Sequence, residues 1–134
     1  IRQVAALSAF LETGDGANLL TAYRRAANII QAEEKKDGQR HAGNPDEGLF
    51  AEPAETALAD ALNAASAGLS LALKREEFDA AMGLLAKLRP PTDLFFDQVT
   101  VNADDPALRA NRLKLMGAIT ATMSQVADFS VIEG

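Results

Sequence analysis

Along most of the chain, apolar residues return every three to four positions, the spacing that lines one face of a helix. Phe78, Met82, Leu85 and Leu88 form one such series; Leu19, Leu20, Tyr23, Ala26, Ala27 and Ile30 form another. Read with its caps and breakers, the pattern predicts about six helices and no sheet. The first runs from about Ile1 to Glu12 and stops at Thr13-Gly14-Asp15-Gly16, a turn whose glycines can take positive φ. A second covers about Ala17 to Lys36. The third opens after Phe50, with Pro53 suited to the first helical position and Glu52 and Glu55 to the positive end of the helix dipole. It runs to about Ser66 or Leu73, with Gly68 blurring its end. A fourth helix, about Glu76 to Leu88, is ended by Pro90-Pro91. A short helix from about Thr92 to Gln98 leads into an extended Val99-Thr100-Val101. Asp105 then caps a last helix, with Pro106 in its first turn, that runs to about Phe129. Residues 37–48 combine Gly, Asn, Pro and charge without a large apolar anchor and are predicted to be a mobile loop.

Composition agrees with packed helices. The 134 residues are 48% hydrophobic but only 5% aromatic, so small and medium side chains must fill one core. The expected fold class is therefore all-α, a single helical bundle over 1–134. The absence of cysteine excludes disulfides and thiolate metal sites and is compatible with the cytoplasm. No run of about 18 apolar residues stands out as a membrane span, and no charged-then-apolar leader opens the chain, so a soluble protein without a membrane partner is expected. Because Ile1 falls inside an amphipathic series with Val4, Leu7, Phe10 and Leu11, the chain is expected to be a fragment of something longer.

Catalytic chemistry is hard to find. The single histidine, His41, falls in the predicted loop, where a surface role fits better than a general base. There is no glycine-rich phosphate loop, nucleophile elbow or zinc-binding H-E-x-x-H. The carboxylate pairs Glu33-Glu34, Glu76-Glu77 and Asp104-Asp105 are sequence neighbours, so in a helix they diverge by about 100° instead of converging on a substrate. The chain by itself is expected to hold no catalytic residue, metal or cofactor.

The basic residues are more informative. On the second helix, Arg24, Asn28, Gln31 and Lys35 form a narrow stripe beside the apolar arc, with Arg25 and Lys36 just beyond. One reading is a solvated flank. The other is a ladder for phosphates or base edges, continued into the loop by Arg40, since guanidinium and amide groups combine charge with directed hydrogen bonds. The net charge of −6 argues against a protein that coats nucleic acid and leaves room only for a local basic face. In the last helix, Leu108, Leu115, Met116, Ile119, Met123 and Val126 make the core arc, yet Arg112 projects inside it and Arg109 lies at its edge. A buried guanidinium needs a carboxylate, and Asp97, Asp93 and Glu55 are the candidates. For Arg109, ligand binding and structure weigh alike.

In order and spacing, "LLTAYRRAANII", "GLFAEPAETAL" and "LAKLRPPTDLFFDQVTVNADDPALRANRLKLM" resemble the C-terminal anticodon-binding (DALR-like) domain of the bacterial glycyl-tRNA synthetase beta subunit. The most specific part is Phe-Phe-Asp, then Val-x-Val-Asn-Ala, an acidic pair and Arg-x-Asn-Arg-Leu. The final "VADFSVI" also looks like that family's end. Departures are Thr100 where the family usually has Met, Thr92 where it has Val, and Pro90, which lengthens the proline run. The resemblance implies a helical domain of the class I synthetase anticodon-binding type, joined to the rest of a beta subunit that works with a catalytic alpha subunit. The domain would grip the anticodon arm of glycine tRNA, not DNA, while aminoacylation with ATP and magnesium happens elsewhere in a cytoplasmic enzyme. On that reading Arg24, Arg25, Asn28, Gln31, Lys35, Lys36, Arg40 and Arg109 are the candidate tRNA contacts. Phe95, Phe96, Asn102 and Arg112 build a structural corner: one phenylalanine acts as a hinge pin, Val99 and Val101 pack beside it, and Asn102 fixes the turn. Two rival readings are a helical module that docks proteins through an exposed apolar patch, and a fragment retaining a hydrolase.

Overall fold

In the computed structural model, which describes residues 8–38, 43–100 and 104–126, every regular element is helical and the described residues contain no strand. After a helical turn at residues 8–11 come α1 (Gly14–Asp37), a 3-10 turn (Glu47–Leu49), α2 (Pro53–Lys74), α3 (Phe78–Ala86), α4 (Arg89–Gln98) and α5 (Pro106–Ser124). The all-α reading holds. Of the predicted extended stretch, Val99 is extended and caps α4, while Val101 lies outside the described residues.

The start of α1 differs from the predicted turn. Neither Gly14 nor Gly16 has positive φ; both belong to the first helical turn, capped by Thr13, whose hydroxyl accepts from the Gly16 amide at 3.0 Å and donates to the Phe10 carbonyl at 2.6 Å. Glycine is needed at 16 for a tertiary reason. A Cβ there would sit 2.0 Å from the Phe10 carbonyl oxygen, so only glycine lets the preceding turn close against α1. Further along, Gly68 does not end α2. It makes room for the Leu84 side chain, 2.9 Å from where a Cβ would lie, and the helix continues to Lys74. The proline pair likewise does more than stop a helix: α4 begins at Arg89, with Pro90 and Pro91 in its first turn, where the missing amide hydrogens are not required.

Helix α5 carries much of the core. It packs on α1 and α2, while α2 also holds α3 and α4, and α1 reaches across to α4. Its buried residues include Asn111, Arg112, Leu113, Leu115, Met116, Ile119 and Met123. Asn111 and Leu113 are about 200° apart on the helix, so α5 meets neighbours on more than one side and its core surface exceeds the single arc predicted. By length and composition α2 is apolar enough to cross a membrane. Its buried Leu58, Leu62, Ala65 and Leu69 instead form part of the bundle core.

Candidate functional site

The corner between α4 and α5 is a closed polar centre. Arg112, largely buried, donates from Nε to Glu55 Oε1 at 2.9 Å and from a terminal nitrogen to the Thr100 carbonyl at 2.6 Å. Glu55 is fully buried, and its other oxygen accepts from the backbone amides of Ala51 and Glu52 at 2.8 and 2.7 Å. One carboxylate thus ties the start of α2 to α5, and through Arg112 to the chain leaving α4. Of the three carboxylates considered for Arg112, Glu55 is the partner. Phe95, fully buried, is the apolar pin of this corner, and Val99 packs with it in the same core. Asn102 lies outside the described residues.

Arg109, one helical turn before Arg112, is held just as tightly but nearer the surface. It donates to Glu33 Oε1 at 3.0 Å and meets Asp37 Oδ2 at 2.7 Å, fastening the C-terminal turn of α1 to the start of α5. The hydrogen bonds to Asp37 and then to Glu33 hold its pKa above the usual arginine value. Its guanidinium is thus engaged by two carboxylates of α1.

Those others gather on α1. Arg25, Asn28, Gln31, Lys35 and Lys36 are exposed and Arg24 is half-buried, all on the side of the helix turned away from its buried Leu19, Tyr23 and Ala26. The ridge has two flanks. On one, Arg25 lies over the ring of Phe96 from α4, with 4.5 Å from the guanidinium carbon to the ring centroid. Phe96 meets Phe95 edge-on at 5.7 Å, so the buried ring steadies the half-buried one. Between α1 and α4 here runs an open groove of about 760 Å³, lined among others by Asn18, Thr21, Arg25, Leu94, Phe96 and Asp97. Arg40 lies outside the described residues.

Two features escaped the sequence reading. Asn18, Thr21 and Arg25 recur at i, i+3 and i+7, a polar series at helical spacing that points to one groove wall; its partner on α4 has no local signal. Asn111, within the Arg-x-Asn-Arg-Leu pattern, is the second: its buried side chain both accepts from the Asp46 amide and donates to the Asp46 carbonyl. Part of the stretch read as a mobile loop is thus tied down at Asp46, while Asp37 belongs to α1 and Glu47–Leu49 to a 3-10 turn. The anchor is a polar group 65 residues away and not an apolar residue within the loop. Among the described residues, no group of three or more His, Cys, Asp or Glu side chains is placed to hold a metal ion.

Residues 19–130 match the family described as the DALR anticodon binding domain. The whole chain also aligns with glycine–tRNA ligase beta subunits: 54% identical over 135 residues in Rhodospirillum centenum, 52% over 134 in Phenylobacterium zucineum and 45% over 134 in Ruegeria sp.. In each case all of this chain is covered but only 19–20% of the relative, so the chain spans about a fifth of the length of these curated relatives.

Proposed function

The chain belongs to the DALR anticodon binding domain family, and from that membership we propose that it grips the anticodon arm of glycine tRNA as part of a glycine–tRNA ligase beta subunit. The observation that supports the location is the α1 ridge, where Arg25, Asn28, Gln31, Lys35 and Lys36 are exposed side by side on a protein of net charge −6. A basic ridge on an acidic body attracts phosphates at one place and repels them elsewhere, which suits a reader of a single hairpin. In this reading Arg24 and Lys35 hold phosphates, while Asn28 and Gln31 offer both donors and acceptors to backbone or base edges. Arg109 acts indirectly: by tying Glu33 and Asp37 to α5 it sets the direction in which Lys35 and Lys36 leave the helix.

Aminoacylation, with ATP and magnesium, then takes place outside this chain, on a catalytic alpha subunit that the rest of the beta subunit would engage in the cytoplasm. The alternative of a protein-docking module calls for a contiguous apolar patch. The large apolar side chains exposed among the described residues are Leu71 and Leu94, one each on α2 and α4.

Binding of a glycine-tRNA anticodon stem-loop across a salt series tests the reading. Affinity should fall as salt rises, with a log–log slope near two or three phosphate contacts, about −0.7 per contact for single-stranded RNA. A slope of zero would remove the ridge as a phosphate grip.

A further inference from the structure

We propose that the α1–α4 groove takes one unpaired base of the anticodon loop, stacked on the Arg25–Phe96 pair and held by Asp97 through an exocyclic amino group of that base. The inference rests on the anticodon-arm reading above and specifies which part of the RNA enters this groove.

Charge argues for a base over a phosphate. The groove is lined by one arginine and two aspartates, Asp93 and Asp97, so it disfavours an anion even though it lies beside the basic ridge. Asp93 is drawn toward Arg89, at 3.3 Å, and Arg89 also donates to Asp15 at 2.9 Å. Asp97 has no such neighbour: among the described residues its side chain forms no ion pair or hydrogen bond, and it is exposed. Arg25 shares the groove with both carboxylates yet pairs with neither. Its guanidinium lies over Phe96, at 4.5 Å from the ring centroid.

A guanidinium plane backed by an aromatic ring is a stacking platform for a base. The platform is fixed before any ligand arrives, because the fully buried Phe95 meets Phe96 edge-on at an interplanar angle of 75°. Leu94, 39% exposed, adds apolar surface to the groove. Unbound carboxylate oxygens accept hydrogen bonds only, so Asp97 selects a base edge that donates; the amino group of cytosine is the usual match. The groove volume of about 760 Å³ falls in the range of ligand clefts, about 300–1,000 Å³. Platform, acceptor and room together are what a reader of splayed loop bases requires.

The test uses the full-length subunit that carries this chain and a glycine-tRNA anticodon stem-loop in which each loop base is replaced in turn by uracil, which has no amino group. At one loop position the wild-type protein should lose about tenfold in affinity on replacement, the size of one base-edge contact. Asp97→Asn should reduce that loss to threefold or less while leaving the salt slope unchanged. Phe96→Leu, which keeps an apolar side chain, should weaken every stem-loop by about tenfold through loss of stacking. If Asp97→Asn retains the full position-specific penalty, or Phe96→Leu binds like wild type, the groove is not a base site. If these variants instead impair assembly of the subunit without changing RNA affinity, the groove is a protein contact and the proposal fails. Failure of the wild-type subunit to bind the stem-loop at all would overturn the anticodon-arm reading itself, and the groove proposal with it.

Discussion

Two arginines, Arg112 in the corner and Arg25 in the groove, show how the same side chain serves opposite ends. Around Arg112 the polar groups are paired with one another: a fully buried carboxylate receives a guanidinium and two backbone amides, and a further guanidinium nitrogen reaches the Thr100 carbonyl. Around Arg25 the guanidinium is held by its face against Phe96, and a neighbouring carboxylate, Asp97, has no partner among the described residues. The first arrangement ties the start of α2 to α5 and to the chain leaving α4. The second holds an orientation while keeping hydrogen-bonding edges available. Both rest on the same short helix: α4 inserts Phe95 into the core below and presents Phe96 to the groove beside α1.

Removing Arg112 should have the largest effect. Arg112→Ala strands a buried carboxylate, and because breaking a buried pair costs about 3–5 kcal/mol, the melting temperature should fall steeply. Arg25→Ala, at an exposed side chain, should barely move it. Equal losses in the two variants would erase the distinction between corner and groove.

Thr92 tests the same contrast from within α4. It is fully buried, and among the described residues its hydroxyl has no hydrogen-bond partner. A buried donor left unsatisfied is a liability, and valine has nearly the same shape. Thr92→Val should therefore raise stability by about 1 kcal/mol in chemical denaturation. A loss of stability would mean that the hydroxyl has found a partner in solution.

Much of this fold could be read from the chain because its helices announce themselves locally. Period, Pro53, Asp105 and Pro106 placed the later helices well, and the apolar series in α1 held at Leu19, Leu20, Tyr23 and Ala26. What failed depended on distant chain. Gly16 looked like a turn glycine because the Phe10 carbonyl that requires it is a tertiary neighbour. Arg112 was recognisable as a buried cation from its place in the apolar arc, but choosing Glu55, 57 residues away, over Asp93 or Asp97 needed the packed structure. The choice between Phe95 and Phe96 was similarly open: both sit on one turn, and only the position of α1 makes one a core pin and the other a stacking face. Arg109 was evenly poised in the sequence, and Glu33 and Asp37 show where its guanidinium goes.

The smallest stability change belongs to the most informative variant. Asn28, Gln31 and Lys35 are exposed on the α1 ridge, so Asn28→Ala, Gln31→Ala and Lys35→Ala should each shift stability by no more than about 0.5 kcal/mol. The direct test is the affinity of this triple variant for a glycine-tRNA anticodon stem-loop, measured with its melting curve in the same buffer and compared with Arg112→Ala at a temperature where both remain folded. The triple variant should melt close to wild type and bind at least tenfold more weakly, while folded Arg112→Ala binds normally. A triple variant that binds like wild type, or a folded Arg112→Ala that has lost the RNA, would contradict it and move the reading surface from the α1 ridge to the corner.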